Sequence, residues 1–392
     1  MTDPRPRLIS TEEEALAAGF AATDSARDRD RQLPWRELDD YVASGLWGVT
    51  VPRDHGGAGV STVTLARITA LIAAADASLA QIPQNHFYAL EILRVGGSEQ
   101  QKAFFYERIL AGERLGNALA EIGHKDFKRR TRLVREGGGL FVDGRKFYCT
   151  GALYAHRIPT LVVDGPEDNP VTHIAMIPRD APGVSITDDW DGFGQRVTGS
   201  GSVTFDRVPV EEAWLLPFQA SFERPTTIGP FAQILHAAID LGIGWRAYRD
   251  MLDFVRTRSR PWLDSKVDKA SDDPLTIQQV GVVRVQLRAA EALLDRAGRF
   301  VDAAQADMTA DSVAAASIAV AEAKILSTKA GLLAANKLLE LAGTSGAGAA
   351  DNLDRHWRNV RTHTLHDPVR WKYQAVGRYF LNGQHPRRSG TI

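Results

Sequence analysis

The 392-residue chain carries 47 basic and 48 acidic residues, a net charge of −1, with 44% hydrophobic and 24% charged residues. That balance excludes the electrostatic footprint of a nucleic-acid or anionic-membrane binder, and the length exceeds one hydrophobic core, so two or three packed domains are expected. One cysteine, Cys149, rules out an internal disulfide and fits a reducing cytoplasm, while Met1–Leu8 shows no apolar leader and no apolar run is long enough to span a membrane.

Ser10 or Thr11 followed by Glu13 and Glu14 is a capping-box signature that opens a helix. Val49–Gly59 is a glycine-rich turn, after which Leu65, Ile68, Leu71 and Ile72 recur at helical spacing. Further helices are predicted from Gln84 and from Ser98. Near Gly116 the texture changes to short apolar runs punctuated by glycine and proline. Leu140–Val142, Asp143-Gly144 and Lys146–Tyr148 read as a hairpin with an Asp-Gly turn. Thr160–Val163, His173–Ile177, Val184–Ile186 and Gly201–Phe205 read as strands of a sandwich or barrel. From about Phe231 the chain is helical again, with long helices over Leu275–Val301 and Ser312–Leu341, the first capped by Asp272-Asp-Pro274. The expected fold is mostly α: an N-terminal helical domain over 1–116, a middle β domain over 117–222 and a C-terminal helical bundle over 223–392.

The stretch Arg355-His-Trp-Arg-Asn-Val-Arg-Thr-His-Thr-Leu-His-Asp-Pro368 packs three histidines, three arginines and an acid at the end of the last long helical run. A core helix cannot bury that mixture cheaply, and His363 and His366 share one face of a helical turn. The stretch reads as the edge of an active site. His363, His366 and Asp367 are poor candidates for a metal site, because no Glu-x-x-His partner stands in the other helices. Gly242-Ile-Gly244 lies in a helical run and reads as helix packing, not a dinucleotide loop, so any nicotinamide reductant acts elsewhere. His86 is either a satisfied core residue or a site residue. Lys146-Phe-Tyr-Cys-Thr-Gly151 ends in small groups that admit a flat ligand, and Cys149 has no thiolate-stabilising neighbours. Trp190–Arg196 is a structural loop or a lid. Arg256-Thr-Arg-Ser-Arg260 is a phosphate clamp or a solvated turn, and Lys128-Arg-Arg130 a solvated loop.

Taken in order, these motifs resemble the acyl-CoA dehydrogenase superfamily over nearly the whole chain. The segment Gly45–Pro52 with His55–Gly59, the strand Lys146–Gly151, and Gly194–Arg196 with Val203–Pro209 carry the resemblance. The departures are equally informative. Where family dehydrogenases hold a catalytic glutamate before a glycine, this chain reads His363-Thr-Leu-His-Asp-Pro368, and the flavin loop is eroded to Ala120-Glu-Ile-Gly-His-Lys-Asp126. Both resemble the flavin monooxygenase branch, the group of dibenzothiophene monooxygenase and the SfnB-type sulfur-acquisition oxidoreductases.

That resemblance implies a two-component enzyme that oxygenates a small organosulfur compound through a C4a-hydroperoxyflavin. O2 and reduced FMN, supplied by a separate NAD(P)H-flavin reductase, would be consumed, with FAD as the alternative flavin. It implies His366 and His363 at the reacting flavin edge, Asp367 orienting an imidazole, and His86 on the opposite wall. Tyr148, Cys149, Thr150 and Glu121 would contact the cofactor. Cys149 stands where serine is common, and a thiol donates weakly. Gly343–Gly348 lacks an arginine for the FMN phosphate, which leaves Arg256 and Arg258 for that task. Tyr88, Phe147 and Trp190 would line the substrate pocket, no metal takes part, and the bundle would assemble a cytoplasmic homotetramer. An FAD-dependent acyl-CoA dehydrogenase, a flavin-binding scaffold without catalysis, and oxidation at nitrogen are the alternatives.

Overall fold

Ser10 caps the first helix with the expected box: its hydroxyl accepts from Glu13 N–H, and the Glu13 carboxylate accepts from the Ser10 N–H. The computed structural model describes residues 10–122, 128–166 and 168–392. The Met1–Leu8 reading and the Gly123–Asp126 part of the eroded loop lie outside them. The N-terminal helices are α1 (Thr11–Ala21), α2 (Asp24–Asp30), α3 (Trp35–Ala43), α4 (Thr62–Ala75), α5 (Ala77–Gly96) and α6 (Glu99–Leu110). α5 begins well before Gln84, the expected start. Asp76 caps it by accepting from the N–H groups of Ser78 and Leu79, and Pro83 is carried inside the helix. Ser98 opens α6 with a second capping box, as expected.

The middle of the chain forms one seven-stranded sheet: β1 (Arg132–Glu136), β2 (Gly139–Lys146), β3 (Arg157–Asp164), β4 (Val171–Pro178), β5 (Val184–Thr187), β6 (Ser202–Pro209) and β7 (Leu215–Pro217). Its order is β5-β6-β2-β1-β3-β4-β7, antiparallel except where β1 meets β3. The Asp143-Gly144 pair is not a turn. β2 runs straight through it with a register shift between Val142 and Gly144, and a Cβ on Gly144 would stand 2.6 Å from Thr131 Cα. The hairpin turn is Gly137-Gly138, whose φ values of 58° and 78° are open to glycine at little cost.

A short α7 (Gln219–Glu223) leads into the bundle: α8 (Ile228–Thr257), α9 (Pro274–Ala306), α10 (Ala310–Ala342), α11 (Asp354–Thr364) and α12 (Val369–Asn382). Asp273 caps α9 through the Leu275 N–H, with Pro274 in the first turn. Gly242 and Gly244 are packing residues. A Cβ on Gly242 would lie 2.3 Å from the Ala70 carbonyl of α4, and one on Gly244 would lie 2.9 Å from Gly331 Cα of α10. That close approach of α8 and α10 brings Asp240 within reach of Lys324. No helix among the described residues is long and apolar enough to cross a membrane.

Candidate active site

The arginine- and histidine-rich stretch divides in two along α11. Its first half is structural. Arg355 bonds Asp24 and Asp250, His356 Nε2 lies 2.7 Å from Asp250 Oδ2, and Arg358 pairs with Asp28 and Asp354. These ties anchor α11 to α2 and α8. The second half faces a buried polar cluster between α8, α10 and α12.

At the centre of that cluster is Asp240, whose fully buried carboxylate takes three partners. Oδ2 accepts from Lys324 Nζ and Thr328 Oγ1, each at 2.7 Å, and Oδ1 lies 2.5 Å from His363 Nδ1. His363 Nε2 in turn lies 3.0 Å from His236 Nδ1. The ring of His366 stacks on His236 with centroids 4.2 Å apart and planes 33° apart. Among the described residues nothing hydrogen-bonds either nitrogen of His366, and its side chain is open to solvent. It is an exposed imidazole with no hydrogen-bond partner among the described residues.

Charge in the cluster is settled by who is paired. Burial opposes ionisation of Asp240, but Lys324 and His363 outweigh it and hold the acid well below the usual carboxylate range. Burial holds His236 and His363 neutral, with Lys324 adding to the effect in both, while Asp240 pulls His363 the other way. The His363–Asp240 contact is therefore a hydrogen bond from a neutral ring, and the ion pair is Asp240 with Lys324. Surrounding protein pushes His366 down to about 4 against the opposing pull of Asp367, with His363, Lys324 and Lys372 reinforcing the shift. His363 has both ring nitrogens occupied, which leaves none for a metal.

Asp367 does not orient an imidazole, as was expected of it. Its Oδ2 accepts from Lys372 Nζ at 3.0 Å, and Lys372 also bonds Gln233 Oε1 and the Thr391 carbonyl. Asp240 holds that role instead. Asp367 Oδ1 is buried without a hydrogen-bond partner among the described residues, and Asp367 and Lys372 line a cavity of about 530 Å³ beside Trp371, Arg378 and Ser389.

His86 is also placed differently from its expected role. Its fully buried ring has Nε2 2.9 Å from the Trp47 carbonyl and Nδ1 accepting from the Leu115 N–H at 3.2 Å. Both nitrogens serve the backbone, tying α5 to its neighbours, and neither is free for a ligand in this arrangement. Burial pushes its pKa down to about 3. Glu121 is spent as well: it accepts from Lys146 Nζ at 2.6 Å and from the N–H groups of Arg130 and Thr131. Cys149 points its thiol into the core of the sheet, fully buried, and burial raises it to about 12. Arg258 is paired bidentately with Asp351, and Arg256 lies about 30 Å along α8 from His236 at about 1.5 Å per residue. Within one chain, neither arginine reaches a phosphate whose ring lies at His366.

The other expected residues do come together. Tyr148, exposed and at φ 54°, meets the edge of Trp190 with ring centroids 6.1 Å apart. Thr150 Oγ1 bonds Ser200 Oγ, which bonds Thr198 Oγ1. Phe147 is half-buried with the Arg145 guanidinium over its ring. Tyr88 is buried, and a Cβ on Gly390 would lie 2.9 Å from its hydroxyl, so the chain's last segment packs over it. The Trp190–Arg196 loop docks on α11, since Gln195 N–H donates to Asn359 Oδ1 at 2.7 Å and Gly194 leaves no room for a Cβ against the Arg358 carbonyl. Asn359 and His363 are one turn apart, so α11 joins the Tyr148–Trp190 wall to the histidine cluster.

Sequence reasoning did not single out His236, Asp240, Lys324, Lys372, Asn117 or Gln195. A signal existed for three of them. His236 with Asp240, and Lys324 with Thr328, are polar i,i+4 pairs inside otherwise apolar helical runs, an arrangement that marks two buried faces meeting over a polar site.

The histidines predict an acid sensitivity. His86, His236, His356 and His363 are buried and neutral in the folded chain but titrate near pH ~6.5 once unfolded. Their contribution is complete above that pH and is lost as pH falls toward the folded values, about 3 for His86. Each costs up to about 1.4 kcal/mol per pH unit in that window. Calorimetry at pH 7.5 and 5.5 should show Tm several degrees lower at the acid end, and an unchanged Tm would contradict these burials.

The comparisons agree with this architecture. The N-terminal domain model of acyl-CoA dehydrogenases matches residues 10–113, and the C-terminal domain model matches residues 234–371. The chain belongs to the acyl-CoA dehydrogenase family. Within it, the chain is 34% identical over 388 residues to dibenzothiophene monooxygenase of Rhodococcus erythropolis, covering 95% of this chain and 92% of that protein. It is 32% identical to the probable FMNH2-dependent monooxygenase SfnC of Pseudomonas putida, over 99% of this chain and 98% of the relative. Among solved structures, FMN-bound TdsC from Paenibacillus sp. A11-2 superposes with TM-score 0.91 at 31% identity, covering 97% of this chain and all of that one. Methanesulfinate monooxygenase MsuC from Pseudomonas fluorescens gives TM-score 0.91 at 30% identity, over the full length of both chains. Butyryl-CoA dehydrogenase of Megasphaera elsdenii shares the fold, with TM-score 0.83 at 16% identity over 97% of this chain and all of that one.

Proposed function

We propose that this protein is a reduced-flavin-dependent monooxygenase that takes FMN already reduced by a separate NAD(P)H-flavin reductase and uses O2 to oxygenate a small organosulfur compound. The observation that carries the reading is His366, a neutral, unbonded imidazole exposed to solvent and stacked on a buried Asp240–His363–His236 chain. Full-length similarity to FMNH2-dependent and organosulfur-oxygenating relatives supports the same reaction class.

The residues fit a bound FMN. Asn117 Oδ1 and both side-chain polar atoms of Gln195 are buried without partners among the described residues. Asn117 Nδ2 lies 3.4 Å from the Tyr148 carbonyl, and the Gln195 carbonyl accepts from Trp190 Nε1. A ring system that both donates and accepts along its edge would satisfy these amides, which cost about 1–3 kcal/mol each if left unpaired. Reduced FMN supplies the electrons that split O2 between the sulfur product and water.

The protein's part is binding, water exclusion and proton placement. Tyr148, Trp190 and Phe147 wall the ligand, which keeps competing hydrolysis out. His366, neutral near pH 7, donates one N–H and holds one lone pair at the reacting edge. His363 holds its place through Asp240. No carboxylate in the cluster stands free as a base for an acyl thioester, since Asp240 is triply bonded and Asp367 is clamped by Lys372. Exposed apolar side chains on α9 (Leu275, Ile277, Val285) and α12 (Trp371, Phe380, Leu381) support a homotetramer assembled through the bundle. One free, buried cysteine and balanced charge fit the cytoplasm.

The test supplies the protein with a flavin reductase, NADH and FMN or FAD, and offers dibenzothiophene, methanesulfinate and butyryl-CoA in parallel. An oxygenated sulfur product formed with FMN and dependent on O2 is expected. Oxidation of butyryl-CoA without O2 would replace this reading with the dehydrogenase one.

A further inference from the structure

We propose that His236 is a positioning residue of this site: Asp240, acting through His363, fixes its tautomer, and its ring is the platform that sets His366. The proposal rests on His366 being the working group, as argued above, and adds a residue that neither the sequence motifs nor the family resemblance assigns.

The tautomer follows from counting donors. Asp240 Oδ2 is filled by Lys324 and Thr328, which leaves Oδ1 for one proton, that of His363 Nδ1. A neutral His363 then presents a lone pair at Nε2, 3.0 Å from His236 Nδ1, so His236 must be the donor in that contact. The His236 Nε2 is left as a lone pair that no described residue bonds. Three residues set this order without any choice at the last one.

The platform follows from the stack. His366 stands in the turn after α11 with no side-chain hydrogen bond to a described residue, so its orientation is set by the His236 face 4.2 Å away. Two neutral rings stack at that distance without repulsion. A proton on His236 would face Lys324 from α10, His363 from α11, His366 from the following turn and Lys372 from α12, offset by Asp240 on its own helix and Asp367 beside His366. Fixing His236 neutral therefore leaves His366 free to gain and lose a proton alone.

The experiment reads ring nitrogens directly, on flavin-free full-length protein labelled with ¹⁵N-histidine. Native protein should show His236 and His363 as Nδ1–H tautomers that do not titrate from pH 6 to 9. Resonances are assigned by their loss in His236→Asn, His236→Phe and His363→Gln, each first checked for a native circular-dichroism spectrum. In His236→Asn, which keeps a donor to His363 but removes the platform, the His366 titration should move by half a pH unit or more. In His236→Phe, which keeps a ring but no donor, His363 should remain an Nδ1–H tautomer, because Asp240 fixes it. An Nε2–H tautomer for His236 in native protein overturns the proposal without any variant. So does a His366 titration unchanged in His236→Asn. Turnover is a separate arm: if native protein oxygenates no sulfur compound while the tautomers are as stated, the proposed function falls and the assignment of His236 stands.

Discussion

Replacing His366 by alanine should lower the oxygenation kcat by about 10²–10⁴-fold, the range a positioned proton donor and acceptor contributes. Stability should hardly change. The ring is open to solvent and bonds no described residue, so its loss creates neither a closed cavity nor an unpaired polar group in the fold. Rapid mixing of the reduced-FMN complex with oxygenated buffer reads the first effect, and thermal unfolding reads the second. Flavin reoxidation should continue in the variant while product per flavin falls. Retained product yield in His366→Ala would remove the residue from the chemistry.

The opposite pattern is expected at Asp240. Asp240→Ala leaves Lys324 charged in a site where the lysine is 1% and the acid 0% exposed, and it also strands Thr328 and His363. Removing one member of a buried pair costs about 3–5 kcal/mol, because the partner charge is left uncompensated. Urea unfolding should show that loss as a lower midpoint with an unchanged slope. Asp240→Asn should cost less, since it keeps acceptors for Thr328 and Lys324. The acid's pKa is depressed in the fold, so its contribution is present above the ordinary carboxylate range and fades as pH drops through its folded value. A change under about 1 kcal/mol for Asp240→Ala would mean that Asp240 and Lys324 are exposed to water.

How far the sequence spoke depends on the range of the interaction. Local signals were readable: the capping boxes at Ser10 and Ser98, the Asp273 cap and the long bundle helices all stand where capping chemistry and periodicity put them. Local signals with two readings failed. Asp143-Gly144 has turn chemistry, yet Gly144 is there because a Cβ would strike Thr131, and the turn is made by Gly137-Gly138. A helix start was expected at Gln84, but α5 is already capped at Asp76 and carries Pro83 inside it.

The site shows the same division. His363 and His366 were visible as neighbours on one stretch, and so was the Tyr148–Thr150 strand end. The family resemblance gave the orienting role to Asp367, the neighbour of His366 in sequence. Asp240 performs it from 123 positions away, because α11 packs on α8 where Gly331 of α10 leaves room for the Asp240 carbonyl and for Val360 of α11. No spacing rule reports such a contact. Arg256 and Arg258 were left for the FMN phosphate because Gly343–Gly348 lacks an arginine, and within one chain the length of α8 carries them away from the histidine cluster.

The account's central claim is that an oxygen atom from O2 reaches sulfur on this protein. Turnover with reduced FMN and a small organosulfur substrate under ¹⁸O2, followed by mass spectrometry of the product, tests it most directly. One ¹⁸O atom is expected in each product molecule, with the amount of labelled product falling sharply in His366→Ala. Unlabelled substrate with hydrogen peroxide as the sole oxygen product would contradict it.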